Sequence, residues 1–275
     1  MKKTATIILN RNLPEVTNDL HDHLKKFDGD FTDIYIVEAG SDLENLSKFY
    51  TWHANWEDAK KNGLRYSRGM NYGLSKLWED NKFEKYEAFF LITNDSEFNN
   101  SPTIAPMLEI LDEHKRIGIL SPCSPTWGER LLLDEKDTKY FWFIHNNAYL
   151  IRREFIESVM NHQNLDYMNF LFDGKNFRGY GSEHELIAKA YINDWAAAIT
   201  TVVFASENES YLLNKSDLIK TNPYEENLKL YVEEGKIWLK NKYGFNSHWA
   251  LQQYAKYSYD QFFERYPEYK KYEIN

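Results

Sequence analysis

The sequence predicts an α/β protein built on a mostly parallel sheet with helices against both faces. Short apolar runs suited to buried strands alternate with segments whose apolar residues recur at helical spacing. The early strand-like runs each end on a polar cluster, most abruptly in Glu87-Ala-Phe-Phe-Leu-Ile-Thr-Asn-Asp-Ser-Glu97. With 275 residues, 43% of them hydrophobic, the chain can bury a sizeable core. Right-handed crossovers between parallel strands cover such a sheet with helices on its two sides.

Thr4 to Leu9 reads as the first buried strand, followed by the polar turn Asn10-Arg11-Asn12-Leu13-Pro14. Val16, Leu20, Leu24 and Phe27 then share one helical face, with Pro14 suited to the first turn. Asp28-Gly29-Asp30 breaks that helix, and Asp33 to Val37 resumes as a strand ending in Glu38-Ala39-Gly40-Ser41-Asp42. After a polar, Trp-containing stretch, Ser67 to Trp78 places Met70, Leu74 and Leu77 on one helical face, and the strand Ala88 to Thr93 follows. A helix is expected over Pro102 to His114 and a strand over Ile117 to Leu120, then a long surface loop from Ser121 to Asp137. Phe141 to Ile144 and Ala148 to Ile151 read as strands, and Arg153 to Asn161 as a helix. Gly179-Tyr180-Gly181 leads to a helix with Ser182 as N-cap and Glu185 at the capping-box position. Trp195 to Phe204 is a last apolar strand, and the chain is helical from Tyr224 onward. Residues 1–210 are thus expected to form the α/β domain and 211–275 a helical C-terminal extension.

Composition excludes several functions. A net charge of −9 lacks the basic footprint by which a protein neutralises phosphates, so nucleic acid is not an expected partner. The single cysteine excludes an internal disulfide, and the apolar start of the chain is too short for a signal peptide before Arg11, so a cytoplasmic location is expected. No run of about 18 apolar residues exists to span a membrane. In the C-terminal helices Lys, Tyr, Trp and Leu suggest a peripheral membrane face, but Glu225, Glu226, Glu233 and Glu234 would be repelled by an anionic leaflet. Packing on the domain, or a homodimer contact, is expected instead. Aromatic residues reach 16%; Trp127, Tyr140 and Trp142 are suited either to stacking on acceptor sugars or to core packing.

In an open α/β sheet, ligands bind at the carboxyl ends of the strands. The clusters Asn10 to Asn12, Glu38 to Asp42 and Asn94 to Glu97 would therefore gather along one edge, as hard oxygen ligands for a divalent cation and a diphosphate. Over roughly Thr4 to Phe204 the chain resembles the nucleotide-sugar glycosyltransferases of the GT-A fold, especially inverting family 2. Ile7-Ile8-Leu9-Asn10-Arg11-Asn12 resembles the first strand and donor loop, and Ile36-Val37-Glu38-Ala39-Gly40-Ser41-Asp42 the segment whose acid contacts the nucleoside. Gly69-Met70-Asn71-Tyr72-Gly73-Leu74 is similar to the segment ending Asn-x-Gly, and Leu91-Ile92-Thr93-Asn94-Asp95 to the strand carrying the metal-binding DxD motif. Asn146 to Arg153 resembles the acceptor-side strand and turn, and Gly181-Ser182-Glu183-His184-Glu185-Leu186 the helix start that carries the catalytic base. Two departures stand out: Thr93 and Asn94 replace the first two positions of DxD, and His184 replaces the acid that commonly follows Glu183.

The resemblance implies a metal-dependent, hexosyltransferase-like enzyme that moves a sugar, with inversion, from a nucleotide-diphosphate sugar, UDP-sugar favoured, to a saccharide or glycoconjugate acceptor. It implies donor contacts from Asn10, Asn12, Glu38, Gly69, Asn71, Asn94 and Asp95, and a Mn2+ or Mg2+ ion held by Asp95 with help from Glu97. The base would be Glu183, with His184 and Glu185 as alternatives. Each residue also has a plainer reading. Asp95 could cap a turn, Glu183 favour a helix N-terminus, Glu38 serve solubility, Asn71 face solvent, and Gly69 and Gly73 permit close packing. His145, His184 and His248 are possible metal contacts but more ordinarily surface or core residues, and Arg152 and Arg153 could meet phosphate or lie at an exposed helix entry. A nucleotidyltransferase would need a glycine-rich phosphate loop, which Asn10 to Pro14 lacks. A non-catalytic glycan- or nucleotide-binding relic fits the incomplete DxD. Donor hydrolysis with Mn2+ separates the three: nucleoside diphosphate, pyrophosphate, or no product.

Overall fold

The computed structural model describes residues 3–145, 148–163, 165–208 and 210–274. Met1, Lys2, Asn146 and Asn147, which enter the sequence readings above, lie outside the described residues. The strands are β1 (Thr4–Asn10), β2 (Thr32–Glu38), β3 (Trp52–His53), β4 (Ala88–Thr93), β5 (Ser96–Phe98), β6 (Ile117–Cys123), β7 (Thr138–Tyr140), β8 (Tyr149–Arg152) and β9 (Ala196–Glu207). The helices are α1 (Pro14–Asp28), α2 (Glu57–Asn62), α3 (Arg65–Glu79), α4 (Ile104–Glu113), α5 (Arg153–Val159), α6 (Ser182–Ile192), α7 (Ser210–Asn214), α8 (Ser216–Ile219), α9 (Tyr224–Tyr243) and α10 (His248–Arg265).

The strands form one mixed sheet in the order β3-β2-β1-β4-β8-β6-β9-β5, with β7 also paired to β9. β1 runs parallel to β2 and β4, β2 to β3, and β6 to β9, while β8 is antiparallel between β4 and β6. Every residue of β1 is buried, as expected for a central strand covered on both faces. The register sets Asn10 opposite Glu38 and Leu9 opposite Thr93, so three strand ends open onto one edge. α3 lies close against that sheet because of its glycines. A Cβ at Gly69 would come within 2.3 Å of Leu9 Cδ1, and one at Gly73 within 2.8 Å of Ile7 Cγ2. Asp28, at the end of α1, accepts hydrogen bonds from the amides of Thr103 (3.0 Å) and Ile104 (2.8 Å), placing a carboxylate at the start of α4.

Three local expectations are corrected. Phe141 to Ile144 is not a strand; Thr138–Tyr140 occupies the β9 edge, and Trp142 and Phe143 pack through their rings instead. A short buried apolar run carries no periodicity that separates these two outcomes. Gly181, not Ser182, is the N-cap residue of α6, and among the described residues no side-chain hydrogen bond caps that helix. The Ser182 hydroxyl turns instead to Ser67 (3.2 Å) and Asn176 (3.2 Å). The polar stretch before α3 also holds β3 and α2, elements too short to show a pattern.

The C-terminal helices pack on the domain. α10 lies on α6 and sends Ala255, Tyr259, Phe262 and Phe263 into the same core as the sheet. α9 joins a smaller cluster in which Trp238 and Leu239 meet Tyr180 and Leu251. Among the described residues no helix is long and apolar enough to cross a membrane.

Candidate functional site

At the carboxyl edge of β1, β2 and β4 lies a cleft of about 160 Å³, lined from the strand ends by Asn10, Ala39, Asn94 and Asp95. Arg11 and Arg65 line it as well, and Ile219 and Thr221 bound it from the C-terminal region. Asp95 sits in the turn between β4 and β5, half-buried, and its carbonyl accepts a hydrogen bond from Asn208 N at 2.9 Å. Among the described residues it is the single carboxylate that lines this cleft.

The residues beneath the cleft are occupied with one another. The Glu38 carboxylate is fully buried and accepts from Asn10 Nδ2 (2.9 Å), Ser41 Oγ (2.5 Å), Ser47 N (2.8 Å) and Ser47 Oγ (2.7 Å). Asn10 Oδ1 in turn accepts from Asn94 Nδ2 at 2.7 Å. Asn10, Glu38 and Asn94 thus tie three strand ends together, as buried polar groups require. Gly40 (φ +84°) belongs to this knot, because a Cβ there would overlap Ala59 O at 1.8 Å. Asn12 spans to the C-terminal region: its Nδ2 donates to Leu218 O (2.8 Å) and its Oδ1 accepts from Asp42 N (2.7 Å). Lys220 pairs with Asp42 at 2.5 Å, and this hydrogen-bonded ammonium holds the Asp42 carboxyl below the usual range.

The cleft is cationic at its wall. Burial, then the charges of Arg178 and Arg11, push the Arg65 guanidinium down to about 10. Its Nη2 donates to Thr221 Oγ1 at 2.7 Å, and its Nε is buried without a hydrogen-bond partner among the described residues. Arg11 donates to the carbonyls of Lys60 (3.0 Å) and Lys61 (3.2 Å), and burial lowers its affinity for the proton too. Gly63 makes room for it, since a Cβ would lie 2.3 Å from Arg11 Nη1. Among the described residues the Nε atoms of both Arg11 and Arg65 are buried without a hydrogen-bond partner, a donor set whose charge suits an anion.

Beside it, at the same first turn of α3, a second pocket of about 130 Å³ opens between Tyr66, Ser67, Tyr149, Arg178, Glu183 and Tyr231. Glu183 occupies the first turn of α6 and is partly exposed to this pocket. His184 Nδ1 lies 2.7 Å from Glu183 Oε1 but out of line for a hydrogen bond, and the His184 ring is buried near that of His248. Glu185 points elsewhere. It is buried and held by Lys242 (2.7 Å) and the Tyr243 hydroxyl, and Lys242 continues to Asp173 at 2.6 Å. This network locks α6 to α9.

Solved structures share this architecture. The chain superposes on S. aureus TarS with a TM-score of 0.52 and 12% identity, covering 86% of this chain and 43% of that one. It superposes on GalNAc-T7, crystallised with UDP, GalNAc and Mn2+, with a TM-score of 0.56 and 10% identity over 99% of this chain and 59% of that one. For the mannosyltransferase PcManGT from Pyrobaculum calidifontis, in complex with GDP-Man and Mn2+, the TM-score is 0.51 and the identity 12%, over 93% and 73%. The chain has the GT-A glycosyltransferase fold. It spans less than two thirds of the TarS and GalNAc-T7 chains. No protein-family model matches it, and no curated protein sequence does.

In this GT-A fold the sequence-nominated residues divide. Asn10, Asn94 and Asp95 meet at the first cleft, and Glu183 lies at the second pocket. Gly69 packs on Leu9, and Asn71, fully buried, binds the backbone of Leu171 and Phe172 rather than facing solvent. Glu97 is exposed on β5, bonded to Asn208 Nδ2 at 2.9 Å, and is not among the residues lining the cleft. Among the described residues no group of three or more His, Cys, Asp or Glu is arranged to hold a metal. His145 is hydrogen-bonded to the buried Glu129 and stacked on Trp127 at 5.0 Å. Arg152 binds the carbonyls of Ile117 and Leu111, Arg153 that of Glu84, and Tyr140 is core. Arg65, Arg178 and Tyr231 were not singled out by sequence reasoning. A buried arginine and an exposed one are identical letters, and a tyrosine 165 positions from Tyr66 shows no link to it until α9 packs on the loop before α6.

Proposed function

We propose that the protein is an inverting glycosyltransferase that takes a nucleotide-diphosphate sugar, a UDP-sugar by preference, and passes the sugar to a hydroxyl of a glycan or glycoconjugate. The observation that carries this reading is the pairing of an arginine-walled cleft ending in Asp95 with an adjoining pocket that holds the Glu183 carboxylate. Diphosphate chemistry fits the first, and proton abstraction fits the second.

In this reading the donor's diphosphate lies against Arg11 and Arg65, whose charges meet the negative charge that develops on the leaving group. Glu183 takes the proton from the acceptor hydroxyl as its oxygen attacks the anomeric carbon, on the face opposite the diphosphate. The bond from that carbon to the phosphate oxygen breaks, and its electron pair leaves with the nucleoside diphosphate. A single carboxylate beside a diphosphate suits a divalent cation, which commonly takes one or two carboxylates together with phosphate oxygens and waters. Asp95 would hold such a Mn2+ or Mg2+ ion, which supplies further positive charge to the diphosphate. That Asp95 is the one acid lining the cleft among the described residues also supports a second reading, a non-catalytic nucleotide-sugar- or glycan-binding relic.

Calorimetry with UDP and Mn2+, paired with release of UDP from UDP-sugars, tests these roles. Asp95→Asn is expected to weaken Mn2+-dependent UDP binding and turnover together. Glu183→Gln is expected to keep UDP affinity while turnover falls by roughly 10²–10⁴-fold. Near-normal turnover in Glu183→Gln would sink its assignment as the base. UDP binding without turnover in the wild type would favour the relic.

A further inference from the structure

A separate pocket of about 350 Å³ opens beside the second half of α3. Among the described residues it shares no lining residue with the arginine-walled cleft or with the pocket of Glu183. The helix residues that line it run from Tyr72 to Glu79, which sets it back from Arg65 by about 10–20 Å of helix. Three half-buried rings shape it. Trp56, just before α2, is flanked by Tyr72 at 5.6 Å and by Tyr167 at 5.2 Å, with the ring planes inclined at 62° and 51°. All three rings pack on the main core, and the loop that carries Tyr167 is pinned in place. Buried Asn71 donates to Tyr167 O (3.2 Å) and Phe172 O (2.9 Å) and accepts from the amides of Leu171 and Phe172, both at 3.0 Å. Asp166 Oδ1 closes the turn by accepting from Met168 N (2.8 Å) and Asn169 N (2.9 Å). A rigid aromatic surface of this kind binds with little loss of side-chain freedom.

The rings keep their polar tips free. Among the described residues none hydrogen-bonds Trp56 Nε1, Tyr72 Oη or Tyr167 Oη, and none of these three atoms is sealed from solvent. Core tyrosines of this protein do otherwise: the Tyr191 hydroxyl, for example, donates to two backbone carbonyls. The charges at the rim select against an ion of either sign. Lys76 Nζ pairs with Glu79 at 2.6 Å and already lies 5.5 Å over the Tyr72 ring, the place that a cation would take. An anion would face Glu79 and the exposed Asp166. A neutral molecule with apolar faces and hydroxyl edges meets the whole lining, since it stacks on the rings, accepts from Trp56 Nε1 and the two tyrosine hydroxyls, and donates to the carboxylates. The volume lies in the range of ligand clefts, about 300–1,000 Å³.

We propose that this pocket is a surface site for a neutral oligosaccharide, separate from the place of transfer, in which sugar rings stack on Trp56 between Tyr72 and Tyr167. It does not depend on the proposed transfer, because its lining binds without nucleotide or metal. Calorimetry and saturation-transfer NMR with cellotetraose, maltotetraose, chitotetraose and mannotetraose, in the absence of UDP and Mn2+, test it. At least one of these chains is expected to bind the wild type. Tyr72→Phe and Tyr167→Phe keep the rings and remove only hydroxyls that bond nothing in the described chain. Each is expected to weaken that binding about two- to tenfold with the unfolding midpoint unchanged. Trp56→Ala is expected to weaken it roughly tenfold or more. UDP affinity in the presence of Mn2+ is expected to be the same in all three variants as in the wild type. Oligosaccharide binding by a protein that takes up no UDP would remove the proposed function and still support this site. Failure of all four chains to bind would overturn the proposal. Binding that is unchanged in the three variants would place the sugar elsewhere and overturn it as well. Displacement of the bound chain by an equal concentration of tetramethylammonium would mean a cation cage, and that too would overturn it.

Discussion

Arg65→Met is expected to make the unliganded protein more stable and its nucleotide complex weaker. The guanidinium is driven down from 12.5 to about 10, first by burial and then by Arg178 and Arg11. The folded state therefore holds that proton less tightly than the unfolded state, and at every pH below about 10 the charged side chain opposes folding. The displacement corresponds to about 3 kcal/mol. Methionine keeps most of the side-chain volume without the charge, but it gives up the hydrogen bond to Thr221, worth about 1–2 kcal/mol. The net gain is about 1–2 kcal/mol, or roughly 2–6 °C in unfolding temperature for a domain near this size. An anion in the cleft reverses the balance by meeting the same charge. Wild-type protein at a hundredfold excess of UDP over its Kd gains about 2.7 kcal/mol, and a variant binding tenfold more weakly gains about 1.4 kcal/mol less. Thermal unfolding with and without UDP and Mn2+ reads both terms. An unliganded Arg65→Met that melts below the wild type, with an undiminished UDP shift, would refute the assignment of Arg65 as an anion-binding group.

Two further outcomes follow from buried carboxylates. Glu38→Gln replaces an acceptor of four donor groups by a carboxamide that turns its own N–H toward one of them, so about 2–5 kcal/mol of stability is expected to be lost. At temperatures where the variant remains folded, its UDP affinity is expected to match the wild type; a stable variant that binds UDP poorly would instead place Glu38 on the nucleoside. For His145, the hydrogen bond to Glu129 raises the imidazole pKa above 6.5, with the Glu129 and Glu183 charges acting the same way. The native state then binds the proton more tightly than the unfolded state, so this contribution is fully present below about pH 6.5 and fades as pH rises through the native value. Melting temperatures across pH 5–9 should show that decline in the wild type and less of it in Glu129→Gln; parallel profiles would show that the dyad does not couple to folding.

The candidate site was legible to different depths at different residues. Asn10, Glu38 and Asn94 could be placed at one edge from sequence because a parallel register carries successive strand ends to the same side. Their orientation could not, since Glu38 finds its donors on Ser41 and Ser47, in an irregular loop whose path no periodicity encodes. Glu183, His184 and Glu185 were interchangeable as letters. Their separation arises because consecutive helical positions point about 100° apart, so that Glu185 meets Lys242 and Tyr243 of α9 while Glu183 faces the pocket. Asn71 reads as a solvent-facing residue on helical spacing alone, yet the loop at 167–172 folds over it and uses both ends of its amide.

By itself the sequence determined the strand and helix alternation of the first half, the resemblance to GT-A glycosyltransferases, the helices of the C-terminal region and the candidates Asp95 and Glu183. These are properties of local periodicity and of residues adjacent in the chain, and they follow from burial of one face or one stripe at a time. Only the tertiary structure decided that Arg11, Arg65 and Thr221 share one cleft, that Glu97 stays outside it, and that Tyr149 and Tyr231 enclose Glu183. Those groups come from segments far apart in the chain. Their burial, their charge balance and their unmet hydrogen bonds exist only once the sheet edge and α9 have packed, because desolvation and partner geometry are properties of the assembled interior.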